Sequence, residues 1–498
     1  MDLARVWAAW QAEPVHQVVE EVAQRLGQRF WLVGGAVRDA LLALPVADWD
    51  LAVQGAPAFA EAVAAALSSH LVVLHEDLPT YRIVIKPENG EPHQLDIVEL
   101  RAATISDDLS RRDLSINSLA ADPVTRQMLD PMGGLADLAQ GLIRVASLAN
   151  LRADPLRCLR VYRFHSQFGF AIYDQTRQWV REVAPQIRRV AGERVGEELL
   201  KTLEPPRAAD TLRLLDDDGL LSQIIPEIDP TRGVEQGRYH HLDVWGHTLD
   251  VVARLEEILL APDEFLPRNR DAIHDYLARR HRRPVLLLTA LLHDLAKPPC
   301  RRLDERGWWR FFDHDIEGAR MAGSIARRLA LRREDTDTIR ALIRNHLRPL
   351  QLVNQQLPQD GRPPQEISMS ALRRLFRDAH PDGIGLLLLV MADARGCRGP
   401  ASTQAFFDGL PAVVDDMLAR FLAYKEWRAA KPLLSGQDLI DVGFMPGPRF
   451  GEVLAQIEDA YADGVVQTRQ EALAMARELF AQDAGDPAPV GEGADTHS

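Results

Sequence analysis

Two hydrophobic periods divide this chain, and the point where one gives way to the other decides its architecture. Short runs with strand character, Phe30 to Val33, Trp49 to Val53, Leu71 to Leu74, Arg82 to Ile85 and Leu95 to Leu100, are confined to the stretch from Phe30 to Asp137, among helical segments such as Ala58 to Leu67. From Asp154 nearly to Phe480 the apolar residues recur at helical spacing instead, broken at Pro205-Pro206, Pro226 to Arg232, Pro298-Pro299 and Pro358 to Pro364. The expected fold is α+β: a small mixed-sheet head followed by an all-helical neck, body and C-terminal region. The 498 residues suffice for roughly three or four domains. The expected boundaries are 1–140 for the head, 141–230 for the neck, 231–400 for the body and 401–482 for the C-terminal helices. Residues 483–498, rich in Gly, Pro, Ala and acids, are expected to be a disordered tail.

Charge narrows the partners. Lys and Arg number 58 against 72 Asp and Glu, a net charge of −14, which excludes wholesale coating of nucleic acid and requires any such partner to meet a local basic surface. Arg111-Arg112, Arg188-Arg189 and Arg279 to Arg283 are the basic runs, each also readable as a solvated helix face. Cys158, Cys300 and Cys397 lie far apart and form no CxxC pair, so neither a thiolate zinc site nor a disulfide framework is expected. A reducing cytoplasm fits. The longest apolar runs, around Val285 to Leu292 and Ile384 to Ala392, are too short to span a bilayer, and no signal-peptide pattern opens the chain. The expectation is a cytoplasmic protein with no membrane partner.

The chemistry concentrates first in Trp31-Leu-Val-Gly-Gly-Ala-Val-Arg-Asp39, followed nine residues later by Asp48-Trp-Asp50. This reads as strand, glycine turn, short helix and a second strand. Strand residues two apart share a face, so Asp48 and Asp50 can grip one divalent ion, while Gly34 and Gly35 free backbone N–H groups for a phosphate and Arg38 adds positive charge. Two-metal phosphoryl transfer asks for a third carboxylate, for which Asp96 is the first choice and Glu99, on the opposite strand face, the second. In Arg111-Arg-Asp-Leu-Ser-Ile-Asn117, Arg112 suits a triphosphate, and Asp113 and Asn117, four apart, suit a ribose; a cap and a local turn bond are the plainer roles. Asp154 and Arg157, with Arg160 and Arg163 beyond, offer an acceptor and donors for the Watson–Crick edge of cytosine or adenine. Asp154-Pro155 also reads as an ordinary helix start.

Taken in order, Leu32 to Asp39 with Asp48-Trp-Asp50, Arg111 to Ala120, Asp130-Pro-Met-Gly-Gly134, Asp154-Pro-Leu-Arg157 and Arg194-Val-Gly-Glu-Glu198 resemble the motif series of class II tRNA nucleotidyltransferases and bacterial poly(A) polymerases. The resemblance implies a nucleotidyltransferase head in which Asp48 and Asp50 bind Mg2+, Arg112 and Asp113 contact phosphate and sugar, and Asp154 with Arg157 selects CTP or ATP. It implies tRNA as the partner, its 3′-hydroxyl attacking the α-phosphate with release of pyrophosphate. The chain departs at Ala153, where the family often has Glu, and at Ala43, where it often has Gly. Fourteen residues, 97–110, separate Asp96 from Arg111. Relatives that add the terminal A carry a longer flexible loop there, so the resemblance favours CC addition. Full CCA addition, poly(A) addition, or an RNA-binding head serving a hydrolase are the alternatives.

A second set of chemistry-bearing residues is His247, His293-Asp294 and Asp393, with His314 and His346 between them. Imidazoles and carboxylates suit a hydrolytic divalent-metal site. The ordered set resembles the HD phosphohydrolases, which implies that His247, His293, Asp294 and Asp393 hold a divalent metal, with His314 and His346 at a second metal or a phosphate. It implies phosphodiesterase or phosphatase activity beside the transferase. A purely tRNA-supporting domain is the alternative.

Overall fold

The computed structural model describes residues 2–46, 48–74, 80–85, 93–100, 102–379, 381–429, 433–447, 449–462 and 465–482; the expected tail, 483–498, lies outside the described residues. Strands β1 (Phe30–Val33), β2 (Asp48–Val53), β3 (Leu71–Leu74), β4 (Thr80–Ile85), β5 (His93–Glu99), β6 (Ala120–Asp122) and β7 (Gln127–Leu129) form one sheet in the order β3-β4-β5-β2-β1-β6-β7. Every pairing is antiparallel except β2 with β5. The exception follows from connectivity. Helix Ala56–Ala66 crosses over to lay β3 parallel to β2, and two antiparallel returns then bring β5 back beside β2.

Alternation assigns the faces. Trp49, Leu51 and Val53 of β2, with Leu95 and Ile97 of β5, are buried in the main core together with Trp10, Phe30 and Phe59. The Trp10 ring, from the N-terminal helix Ala4–Ala12, lies 5.1 Å from that of Trp49. On the other face Val33, Ala52, Ile105, Leu109 and Ala120 form a smaller core under helix Ile105–Ser110. Asp48, Asp50 and Asp96 share that second face, so the same alternation that buries Trp49 presents the carboxylates.

Beyond the sheet the described chain is helical, as expected, with two small strand pairings besides. β8 (Leu142–Ile143) runs parallel to β9 (Ala171–Ile172), and β10 (Arg301–Leu303) and β11 (Trp309–Phe311) make a hairpin. The neck is seated on the body through helix Gly192–Leu203. A Cβ on Gly192 or Gly196 would fall 1.9 Å from the Arg328 carbonyl oxygen or 2.1 Å from that of Leu329, so only glycine permits this approach. Helix Gln404–Ala429 contributes Phe406, Leu410, Val414 and Phe421 to the main core, whereas Leu434, Leu439, Val453, Ile457, Val466, Ala472 and Ala476 pack among themselves.

Ala43 follows helix Gly35–Leu41 with φ at 57°, the left-handed region that an L side chain enters at a cost of about 1–2 kcal/mol. Ala43→Gly relieves that strain and returns about 0.4–1 kcal/mol of it through the looser unfolded chain. The denaturation midpoint of Ala43→Gly is therefore expected to rise, by an amount equivalent to about 0.5–1 kcal/mol. A lower midpoint would contradict the strained turn.

Candidate active site

The β2–β5 register sets Asp50 opposite Asp96, with Asp48 two residues earlier at the exposed mouth. Burial pushes the Asp50 carboxyl up to about 6; Arg112 opposes the shift, and Asp96 and Asp48 add to it. A half-buried carboxylate crowded by two others fits a divalent cation, which removes the repulsion. Asp96 is committed differently. Arg82, its partner across β4, donates from Nε to Oδ1 at 2.8 Å and from Nη2 to Oδ2 at 2.7 Å. That leaves Asp48 and Asp50 as the pair for a cation. Glu99, the second choice from sequence, faces away and accepts the N–H groups of Gly55 (2.9 Å) and Ala56 (2.6 Å) at the start of helix Ala56–Ala66.

Gly34 turns the chain out of β1 at φ 73°, directly ahead of Gly35, the first residue of helix Gly35–Leu41. A Cβ on Gly34 would stand 3.1 Å from both Arg112 Nη1 and Asp50 Oδ2, so the glycine lets backbone, cation site and arginine converge. Arg112 is itself aimed by Asp108, at 3.2 Å.

Asp113 is the joint of the site rather than the free ribose acceptor that its spacing suggested. Its Oδ1 accepts from the Leu114 N–H (2.8 Å) and Asn117 Nδ2 (3.1 Å), and its Oδ2 from Arg160 Nε (2.8 Å). Asn117 Oδ1 in turn accepts from Arg38 Nη1 at 2.5 Å. Burial alone would raise Asp113, but Arg160, Asn117 and Leu114 outweigh it and hold the carboxyl at about 2. Because the folded value lies below the unfolded one, this contact contributes about 2 kcal/mol of stability above pH 4, lost as pH falls toward 2. The Arg38 guanidinium also lies 5.1 and 4.9 Å from the ring centres of Phe164 and Phe168.

Those rings belong to the neck helix Leu156–Phe168, which buries Cys158, Leu159, Val161 and Tyr162 and turns Arg157, Arg160 and Arg163 to the cleft at every third position. Arg194 donates to Asp154 Oδ2 at 2.9 Å, and Arg157 donates to the carbonyls of Arg111 (3.0 Å) and Asn150 (3.3 Å). Arg163 pairs with Glu198 at 2.9 Å. Arg194 and Glu198 both come from helix Gly192–Leu203, so the helix seated on the body also aims the neck side chains.

One cleft of about 640 Å³ collects these groups. Of the expected head and neck residues it takes in all but Asp48, which is exposed, and the second-choice Glu99, which faces away. Its lining holds seven arginines against five aspartates, a local positive excess in a chain of net charge −14, and its volume suits a nucleoside triphosphate. Arg82, Asp108, Asn150, Arg194 and Glu198 position the named groups and were assigned no role from sequence. Only Arg194 and Glu198 carried a signal, as members of a quoted motif.

In the body, His247 from helix Val244–Leu260, His293 and Asp294 just past helix Arg282–Leu292, and Asp393 from helix Gly383–Gly396 converge. His247 Nε2 is 3.0 Å from Asp393 Oδ1, and His293 Nε2 is 3.1 Å from Asp294 Oδ2. His314 Nε2 lies 3.5 Å from Asp294 Oδ1, and donor atoms of Asp294, His314 and His346 lie within 4.8 Å of one another. The Nδ1 atoms of His293, His314 and His346 are occupied by the carbonyls of Ala290, Phe311 and Ile343, which leaves each Nε2 as the acceptor. The Nε2 atoms of His293 and His314 are buried without a hydrogen-bond partner among the described residues, as metal ligands awaiting an ion would be. Burial, with His314 and His293 beside it, lowers His346 to about 4 and keeps it neutral, the form that ligates. Lys297, absent from the sequence reading, reaches Asp294 Oδ2 at 2.6 Å.

Comparison with known proteins finds matches over most of the chain. Residues 30–144 match the family profile "Poly A polymerase head domain", 169–231 "Probable RNA and SrmB- binding site of polymerase A", and 244–375 "HD domain". The A-adding tRNA nucleotidyltransferase of Deinococcus radiodurans is 36% identical over 89% of this chain and 94% of its own length. The CC-adding tRNA nucleotidyltransferase of Thermus thermophilus is 32% identical over 89% and 92%. The solved structure of the Thermotoga maritima CCA-adding enzyme complexed with tRNA superposes with a TM-score of 0.59 at 21% identity, covering 97% of this chain and 98% of that one, a likeness of fold. Among the described residues no helix is long and apolar enough to cross a membrane.

The elevated Asp50 gives a pH test. A cation binds the ionised carboxylate, so Mg2+ affinity at this site falls as pH drops through about 6, and binding there releases about half a proton at pH 6 and almost none at pH 8. Calorimetric Mg2+ titration in two buffers of different ionisation enthalpy is expected to show this release in the wild type and its loss in Asp50→Asn. Equal release from both proteins would contradict the assignment.

Proposed function

The chain belongs to the tRNA nucleotidyltransferase family, and from that premise we propose that this enzyme transfers cytidylate from CTP to the 3′ end of tRNA, adding the two cytidines of a CCA end. One observation carries the reading: the base-reading pair Asp154 and Arg157 opens into the same cleft as Asp50 of the cation pair, with Asp48 exposed two residues earlier on β2. Asp154 accepts from the exocyclic amino group of the incoming base and Arg157 donates to its ring nitrogen or carbonyl. Both side chains are fixed by protein partners, Arg194 for the first and two backbone carbonyls for the second, so base choice resides in protein geometry. Arg112, beside the Gly34 turn, meets the triphosphate. The Arg38–Asn117–Asp113–Arg160 chain keeps the phosphate end and the base end at a constant separation. Asp48 and Asp50 would hold Mg2+, which would supply charge neutralisation at the α-phosphate and lower the pKa of the attacking 3′-hydroxyl. Pyrophosphate leaves toward the arginines.

The restriction to cytidine rests on the interval after Asp96. β5 ends at Glu99 and helix Ile105–Ser110 begins six residues later, an interval shorter than the loop that the resemblance assigns to A-adding relatives. The 36% identity to an A-adding relative favours a second reading, addition of the terminal A alone. The domains divide the work: the head, 1–140, performs transfer, the neck, 141–230, reads the base, and the helical body and C-terminal region hold the tRNA. In the body, the ring of imidazoles and carboxylates would hold a divalent metal, which would supply the Lewis acid for phosphoester hydrolysis.

Incubation of tRNA lacking CCA with CTP, and of tRNA ending in CC with ATP, separates the readings. The expected result is two cytidines added in the first reaction and nothing in the second. Extension only in the second establishes A addition, extension in both full CCA synthesis, and extension in neither overturns the proposal. Asp48→Ala with Asp50→Ala is expected to remove all incorporation.

A further inference from the structure

The hairpin of β10 and β11 takes no part in either site, yet its sequence interleaves charge with rings. Arg301-Arg-Leu-Asp-Glu-Arg-Gly-Trp-Trp-Arg-Phe-Phe312 holds four arginines and four aromatic residues against two acids. The register sets Arg302 opposite Arg310, Arg301 opposite Phe311 and Leu303 opposite Trp309. Alternation therefore gives the hairpin two faces, one with Arg302 and Arg310, the other with Arg301, Leu303, Trp309 and Phe311. The second face borders the body centre, since the Phe311 ring lies 5.8 Å from Lys297 Nζ, the group that reaches Asp294. Arg301 stacks on Trp309 at 3.6 Å from the ring centre and stiffens the hairpin.

The first face is costly by itself, because like charges directly opposite each other on paired strands repel. Asp304 answers Arg310 at 2.8 Å, whereas the guanidiniums of Arg302 and Arg306 meet no carboxylate among the described residues. Trp308, just before β11, and Phe312, just after it, are 46% and 65% exposed, so neither ring serves a core. Exposed rings beside unanswered guanidiniums suit a polyanion that carries flat bases: phosphates take up the charge and unpaired bases stack on the rings. The surface is also separate from the nucleotide cleft. Helix His314–Arg328 follows the hairpin and brings its last residue against Gly192 of the neck, about 20 Å further on at 1.5 Å per residue.

We propose that the hairpin is a docking surface for a single-stranded RNA segment, with unpaired bases stacked on Trp308 and Phe312 and phosphates paired with Arg302 and Arg306. Membership of a tRNA nucleotidyltransferase family makes RNA the polymer. A duplex does not fit the same surface, because its bases are already stacked and paired and leave no free face for the two rings. Nothing in the proposal depends on a metal in the body centre.

Fluorescence anisotropy of a labelled oligouridylate of about ten nucleotides, titrated with the full-length protein in EDTA, tests it. The wild type is expected to bind the oligonucleotide more tightly than a blunt RNA duplex of equal length, and excess CTP leaves that binding in place. Trp308→Ala with Phe312→Ala weakens it about tenfold or more, and Trp308→Phe alone keeps most of it. Arg302→Gln with Arg306→Gln weakens it too, and flattens the slope of log affinity against log salt by about 1.4, or about 0.7 for each lost phosphate contact. All four side chains are exposed, so the denaturation midpoint of each variant stays at the wild-type value. Equal binding by the wild type and both double variants, displacement by CTP, or a preference for the duplex overturns the proposal.

Discussion

A single buried carboxylate, that of Asp113, holds the two halves of the cleft to one geometry. It receives Arg160 from the neck and Asn117 from the head, and Asn117 receives Arg38, whose guanidinium packs back against Phe164 and Phe168 of the neck. A buried charge with this many donors is stable only while they all stay in place, since removing one partner of such a pair costs about 3–5 kcal/mol. Burial of Asp113 therefore enforces a fixed distance between the head side of the cleft, at Arg38 and Asn117, and its neck side, at Arg160. Helix Gly192–Leu203 extends the restraint by aiming Asp154 and Arg163 from one side while Gly192 and Gly196 seat it on the body.

The charge pattern explains how an acidic protein accommodates polyanions. The acids of the cleft are nearly all answered: Asp96 by Arg82, Asp108 by Arg112, Asp113 by Arg160 and Asp154 by Arg194. Asp50 is the exception, and burial beside Asp96 and Asp48 pushes its carboxyl up to about 6 although Arg112 is near. A site that neutralises four carboxylates with arginine and leaves the remaining pair for a cation is poised for metal and triphosphate together.

Much of this was legible in the amino-acid order, because the informative patterns are local. β1 and β3 fall on the runs Phe30 to Val33 and Leu71 to Leu74, and the Asp48-Trp-Asp50 alternation by itself separates core from cation face. What stayed hidden depends on distant pairing. Arg82 acquires its role only through the β4–β5 register, and Lys297 through the fold around Asp294. β6 and β7 are three residues each, and the small Ala120 and Ala121 give β6 too little alternation to register as a strand. That helix Gln404–Ala429 packs into the main core was equally hidden, because its helical spacing is the same whichever core it joins.

The most direct test of the Asp113 restraint is a double-mutant cycle on kcat/KM for CTP, with Asp113→Asn, Arg160→Gln and the pair. If the contact fixes head and neck together, each single change lowers kcat/KM and the double variant is no worse than the weaker single one, a coupling of about 2 kcal/mol. Losses that simply add, to within about 0.5 kcal/mol, would contradict it.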